Sequence, residues 1–130
     1  LDVVGPVTAS IFVRTRTPYT DLFVRLTDVD EQGVSRNVVD GISRLDPECG
    51  VPIDDAGVAR VELELFPTAY RFAAGHRLRV QVSGGAFPRH DRNHGTPGTF
   101  GAATTLRGNR LEVLHDAAHP SRLDLPVFLG

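Results

Sequence analysis

Five residues that could do chemistry follow one another in this chain: Arg89, His90, Asp91, Arg92 and Asn93, behind Gly84-Gly85-Ala86 and Phe87-Pro88. Two guanidinium groups and an amide in such a run suit the clamping of a carboxylate, a sugar or a neighbouring domain. The competing reading is structural: Asp91 is the hub of a loop, accepting backbone N–H bonds while Phe87 plugs the core, because a polar loop must satisfy its own backbone. Residues alone favour the structural reading. Phe87, Arg89, Asp91, Arg92 and Asn93 are therefore expected to form an interface or a structured loop.

Other chemistries have weaker support. Ser10, Ser35, Ser43, Ser83 and Ser121 are available as nucleophiles, but none lies in the Gly-x-Ser-x-Gly turn that presents a hydrolase serine. His90 and His94 are four apart, as are His115 and His119, and Asp91 and Asp116 could add carboxylates. That spacing aligns two metal ligands on a helix, yet Gly95, Pro97 and Pro120 oppose a helix at both pairs. The single cysteine, Cys49, has no partner for an internal disulfide. The expectation is no catalytic residue, no metal and no cofactor. With no tryptophan, and with Tyr19 and Tyr70 in separate loops, no aromatic sugar platform is evident either.

The elements that must position the loop read as strands. Leu78, Val80 and Val82 alternate with Arg77, Arg79 and Gln81, which predicts a half-buried strand leading into it. Ala9, Ile11 and Val13 predict another, and so do Leu22, Val24 and Leu26. Asp30-Glu31-Gln32-Gly33 fits a tight turn, and Val34 to Leu45 returns as a strand interrupted near Asp40-Gly41. Residues 46–57 are a loop. Val61, Leu63 and Leu65 alternate with charged residues until Pro67. Thr68 to Ala74 offers one helical turn at most. Residues 84–109 form a long loop. Leu111 and Val113, then Leu123, Leu125 and Val127, supply the last strands, and Pro126 marks the final one as an edge. Seven or eight short strands without a helical period predict an all-β antiparallel sandwich in a single domain, residues 1–130.

The chain has 130 residues and a formal net charge of -2, which gives no global attraction to nucleic acid or an anionic membrane. All fourteen basic residues are arginine, spread along the chain; this fits codon composition better than a selected anion site. There is no methionine, and Leu1-Asp2-Val3-Val4-Gly5-Pro6 has no leader character. The chain is expected to be a segment of a longer protein. Its compartment is left open, the cytoplasm slightly favoured.

The run Gly75-His76-Arg77-Leu78-Arg79-Val80-Gln81-Val82-Ser83 with Phe87-Pro88-Arg89-His90-Asp91-Arg92-Asn93 resembles the C-terminal domain of X-Pro dipeptidyl-peptidase and cocaine-esterase type serine hydrolases. Cephalosporin acylases and α-amino-acid ester hydrolases share that domain. Val4-Gly5-Pro6-Val7, Thr20-Asp21-Leu22-Phe23, Leu26-Thr27-Asp28-Val29, Asn37 to Ile42, Leu65 to Tyr70 and His115 to Leu123 agree in order. The likeness spans about residues 2 to 128. It implies a jelly-roll sandwich of the galactose-binding-like type and a parent whose α/β-hydrolase domain carries the serine, aspartate and histidine elsewhere. This domain would dock on that one, stabilise it and help shape its pocket, presenting an apolar patch of Phe87, Phe100 and Tyr19. A homo-oligomer of the parent is left open. Two departures are visible: Arg44-Leu45-Asp46-Pro47 gives way to a short loop, and Gly84-Gly85-Ala86 replace the serines and acidic or amide residue that often precede Phe-Pro. A carbohydrate-binding module is the alternative from another class.

Overall fold

The computed structural model describes residues 1–48, 51–99 and 101–130. Nine strands make up its regular structure, with no helix among the described residues. They are β1 (Asp2–Gly5), β2 (Thr8–Thr15), β3 (Thr20–Val29), β4 (Ser35–Leu45), β5 (Val58–Glu64), β6 (Thr68–Arg71), β7 (Arg77–Ser83), β8 (Leu111–Leu114) and β9 (Arg122–Asp124). One sheet runs β5-β2-β8, with β9 also on β2; a second runs β4-β3-β7; β1 and β6 form a short ribbon. All the pairings are antiparallel.

Period-two alternation builds the core. Ala9, Ile11 and Val13 of β2, Leu22, Val24 and Leu26 of β3, and Ala59, Val61 and Leu63 of β5 join one buried cluster with Val39 and Leu45 of β4. The two larger sheets therefore share their inner faces, as a half-buried strand requires. Each fully buried aliphatic side chain contributes about 1.5–3 kcal/mol of transfer free energy. Thr20, Asp21 and Phe23 are buried as well, although Asp21 and Phe23 alternate away from the core. Something covers the outer face of the second sheet.

Several local expectations change. β4 is continuous through Asp40 and Gly41, because a side chain at Gly41 would stand 3.2 Å from the Leu65 backbone. The glycine permits close approach to β5 and does not end the strand. Thr68 to Ala74 holds no helical turn: Thr68–Arg71 is a strand paired with β1. Tyr70 and Phe72, two apart, pack edge to face at 5.0 Å, a strand spacing. The last strand ends at Asp124; beyond it Val127 makes an isolated bridge to Val3, and the Pro126 carbonyl accepts from Val4 N–H at 2.9 Å. The turn at residues 30–33 forms as read, with Gly33 at φ +86° and its N–H donated to the Asp30 carbonyl at 3.0 Å.

β7 departs most from its pattern. Leu78 is 42% exposed and Val80 45%; only Val82 reaches the core cluster. The alternation is present, but β7 is the last strand of its sheet, and of its apolar row only Val82 packs against the core.

Candidate functional site

The cover on the outer face is the segment after β7. Its cis Phe87-Pro88 bond starts a flap that folds back across β3 and β4. Two carboxylates hold it. Asp21, fully buried, receives Nε and Nη2 of Arg44 at 2.9 and 3.1 Å, a two-pronged guanidinium contact, and the Asn93 amide at 2.9 Å. Asp40, also buried, pairs with Arg25 Nη2 at 3.3 Å and with Arg89 Nη1 at 3.1 Å. Charge-assisted bonds of this kind are stronger than neutral ones, and burial limits their screening by salt. Asp21, Phe23 and Arg25 alternate onto the outer face of β3; Arg44 and Asp40 stand opposite Asp21 and Arg25 on β4. The strand period assembles the anchor.

Between the carboxylates the contacts are aromatic. The His90 ring lies 6.2 Å from that of Phe23, and the Arg25 guanidinium stands 4.9 Å from the Phe23 centroid. Arg44 Nη2 also donates to the Asp91 carbonyl at 3.1 Å. Asn93 Oδ1 accepts from Gly95 N–H at 2.9 Å, and Arg107 N–H donates to the His94 carbonyl at 2.7 Å, tying the flap to the strand-free segment before β8. Beside it opens a groove of about 420 Å³, with Tyr19, Arg44, Asn93, His94 and Thr96 among its lining residues.

Two expectations about the flap are corrected. The Asp91 carboxylate is exposed and bonds to no described residue; only its carbonyl is used. The hubs are Asp21 and Asp40, which lie on strands and are presented by alternation. Nor does Phe87 plug the core. Its ring is 59% exposed, with the Arg92 guanidinium 4.3 Å from its centroid. Phe100 and Cys49 lie outside the described residues, and Tyr19 is half-buried at the groove.

The other candidates are scattered. His119 Nδ1 pairs with Asp116 at 3.0 Å within its own turn. Among the described residues, no three of His, Cys, Asp and Glu come together. Ser10 Oγ donates to Glu62, and Ser121 Oγ donates to the Leu114 carbonyl while accepting from Phe12 N–H; both hydroxyls serve the sheet. One cluster was not foreseen. Asp28, at the far end of β3, accepts from Tyr70 Oη at 2.8 Å and contacts His76 Nδ1 at 2.9 Å. Burial of Asp28 opposes its ionisation, but hydrogen bonds from His76 and Tyr70, with the charges of His76 and Arg36, outweigh it and hold the carboxyl below its ordinary value. The hydrogen bond to Asp28, then burial, raise the Tyr70 phenol.

An all-β sandwich with a pinned flap defines the class, and sequence comparison supplies the family. Residues 1–124 match the X-Pro dipeptidyl-peptidase C-terminal non-catalytic domain. The chain belongs to that family. It is 31% identical to the cocaine esterase of Rhodococcus sp. (strain MB1 Bresler) over 140 residues, covering 98% of this chain and 23% of that protein. A Mycobacterium bovis protein assigned as a serine esterase is 29% identical over 149 residues, with 98% of this chain and 22% of the relative covered. The chain thus spans about a quarter of the length of these relatives. An aminopeptidase structure from a marine-sediment Thaumarchaeota archaeon superposes with a TM-score of 0.79 over 96% of this chain, at 23% identity.

Proposed function

We propose that this domain docks on the α/β-hydrolase domain of a larger serine hydrolase and stabilises it, without supplying a catalytic group. The observation that carries this reading is the display of Phe87. An exposed phenylalanine is common by itself. Here it rises from a flap held by two buried carboxylates, with Pro88 behind it and Arg92 across its face. A rigid aromatic beside a guanidinium is the kind of residue that dominates interface energetics. Membership of a non-catalytic family supports the same reading, and so do relatives whose greater part lies outside the matched region. Arg89, Arg92 and Asn93 would fix the flap's aspect toward the hydrolase and let it border the substrate pocket.

The test is Phe87→Ala made twice, in the 130-residue chain and in the intact parent. The chain alone should melt within a degree or two of the original, while the parent's hydrolase domain should melt earlier and lose ester- or peptide-bond turnover on heating. An unchanged parent would remove Phe87 from the interface and, with it, this reading of the flap.

A further inference from the structure

The groove beside the flap does not end at Asn93. Tyr19 and Asn93 also line a second cavity, of about 220 Å³, whose further walls include Arg107, Gly108 and Asn109. The shared residues make one cleft of the two, and with about 420 Å³ in the first cavity it has the size of a small-molecule site. Asn109 carries an unmet demand there. Its Nδ2 donates to Thr15 Oγ1 at 2.8 Å, while Thr15 Oγ1 gives its own proton to the Thr17 carbonyl at 2.7 Å. Thr15 can therefore only accept from Asn109, which fixes the amide with its oxygen turned away from Thr15. That oxygen, Asn109 Oδ1, is buried and receives no donor from any described residue. A buried acceptor left unpaired is costly. A donor from outside the chain has to reach it through the cavity that Asn109 lines.

The other polar groups of the cleft are of both kinds. The hydroxyls of Tyr19 and Thr96, the Glu48 carboxylate and the Arg107 guanidinium bond to no described residue. A hydroxyl donates and accepts, a guanidinium only donates, and a carboxylate only accepts. An anionic ligand would meet Asp46 and Glu48, and an ammonium would meet Arg44 and Arg107. A ligand without net charge, whose own groups each donate and accept, satisfies both kinds. The hydroxyls of a sugar have that character. Tyr19, at the junction of the cavities, adds an aromatic body with a polar tip.

We propose that this cleft binds a neutral saccharide of two or more linked rings, with Asn109 Oδ1 and Glu48 accepting from its hydroxyls and Arg107 and Tyr19 donating to them. Asn93 and Arg44 give the cleft a fixed floor, because both are held by the buried Asp21 carboxylate. Phe87 lines neither cavity. The site is therefore distinct from the docking of Phe87, and the hydrolase domain takes no part in its test.

The test titrates the 130-residue chain calorimetrically with lactose, maltose and cellobiose, and with glucuronate and glucosamine as charged probes. At least one neutral disaccharide should bind saturably, and neither charged sugar should bind more tightly. An added Cβ at Gly108 meets nothing within 4 Å, and its φ is not left-handed. Gly108→Leu should therefore fold as before, fill the second cavity and weaken the sugar by about tenfold or more. Tyr19→Phe removes one hydroxyl alone; it should weaken binding and leave the melting temperature near the original. That readout holds even if Gly108→Leu fails to fold. Phe87→Ala should leave sugar binding unchanged, so a failure of docking and a failure of this site are read separately. A chain that binds none of the disaccharides, binding indifferent to Gly108→Leu and Tyr19→Phe alike, or a preference for a charged sugar would overturn the proposal.

Discussion

The Asn93 amide donates to Asp21 Oδ1 at 2.9 Å, joining positions 72 apart in sequence. The same oxygen receives Arg44 Nε, also at 2.9 Å. Asp21 is thus shared between the strand beside it and the flap above it, and its carboxylate is wholly buried. Removing a shared buried acceptor costs more than removing either donor, because both donors lose their partner. Asp21→Ala should destabilise the chain by about 3 kcal/mol and Asn93→Ala by about 1 kcal/mol, read by urea unfolding. Equal losses from the two variants would show that Arg44 re-pairs on its own.

Asp91 makes the contrasting case. Its carboxylate bonds to no described residue, and the flap uses its carbonyl, which any residue provides. Asp91→Ala should leave stability within about 0.5 kcal/mol. A drop as large as that of Asp21→Ala would make Asp91 the hub after all.

Gly95 holds the flap's return. Its φ is +73°, and an added Cβ would press on the Arg107 carbonyl. A left-handed backbone costs an L-residue about 1–2 kcal/mol, and the collision with main chain adds to that. Gly95→Ala should therefore lower the melting temperature by several degrees and loosen the Arg107–His94 bond, raising hydrogen exchange at the Arg107 amide. Unchanged exchange there would show that the segment shifts without cost.

The Asp28 cluster predicts an acid limb. The folded-state pKa of Asp28 is depressed below its ordinary 3.8, so the folded state holds its proton less tightly than the unfolded chain does. The stability this confers is fully present above pH 3.8 and is lost as pH falls through the folded-state value. Asp28→Asn should be less stable near neutrality, and its deficit should shrink below that pH. Urea midpoints measured in parallel from neutrality into the acid range check this. A deficit constant with pH would mean that the carboxylate's charge contributes nothing.

The strands were largely legible because alternation states which side chains are inward, and Leu22, Val24, Leu26, Val61 and Leu63 obey it. Legibility failed where an apolar residue had no layer to meet. Leu78 and Val80 alternate as well as Leu26 does, but whether a strand lies inside a sheet or at its edge depends on pairing, which local pattern does not encode. Of the loop, the members were legible and their roles were not. Asp21 and Asp40 lie far away in sequence, on strands whose apolar pattern hid them. Asp21 and Arg25 on the outward row of β3, with Phe23 between them, were the available signal: an aromatic on a row of charged residues needs a cover. Thr68 to Ala74 differs for a related reason, since so short a segment carries too little alternation to mark a strand until its pairing with β1 is known.

The two anchors also act as a check on assembly. Arg44 and Asp40 reach the flap only if β4 pairs with β3 in its native register; a slip of one residue would turn both toward the interior. Arg89 would then lose its acceptor, and Asp21 would keep Asn93 alone. The flap can close only on a correctly threaded sheet. Because closure joins distant parts of the chain, it belongs among the late events of folding. Phe87 takes up its outward position at that stage, so a misthreaded copy never displays that ring.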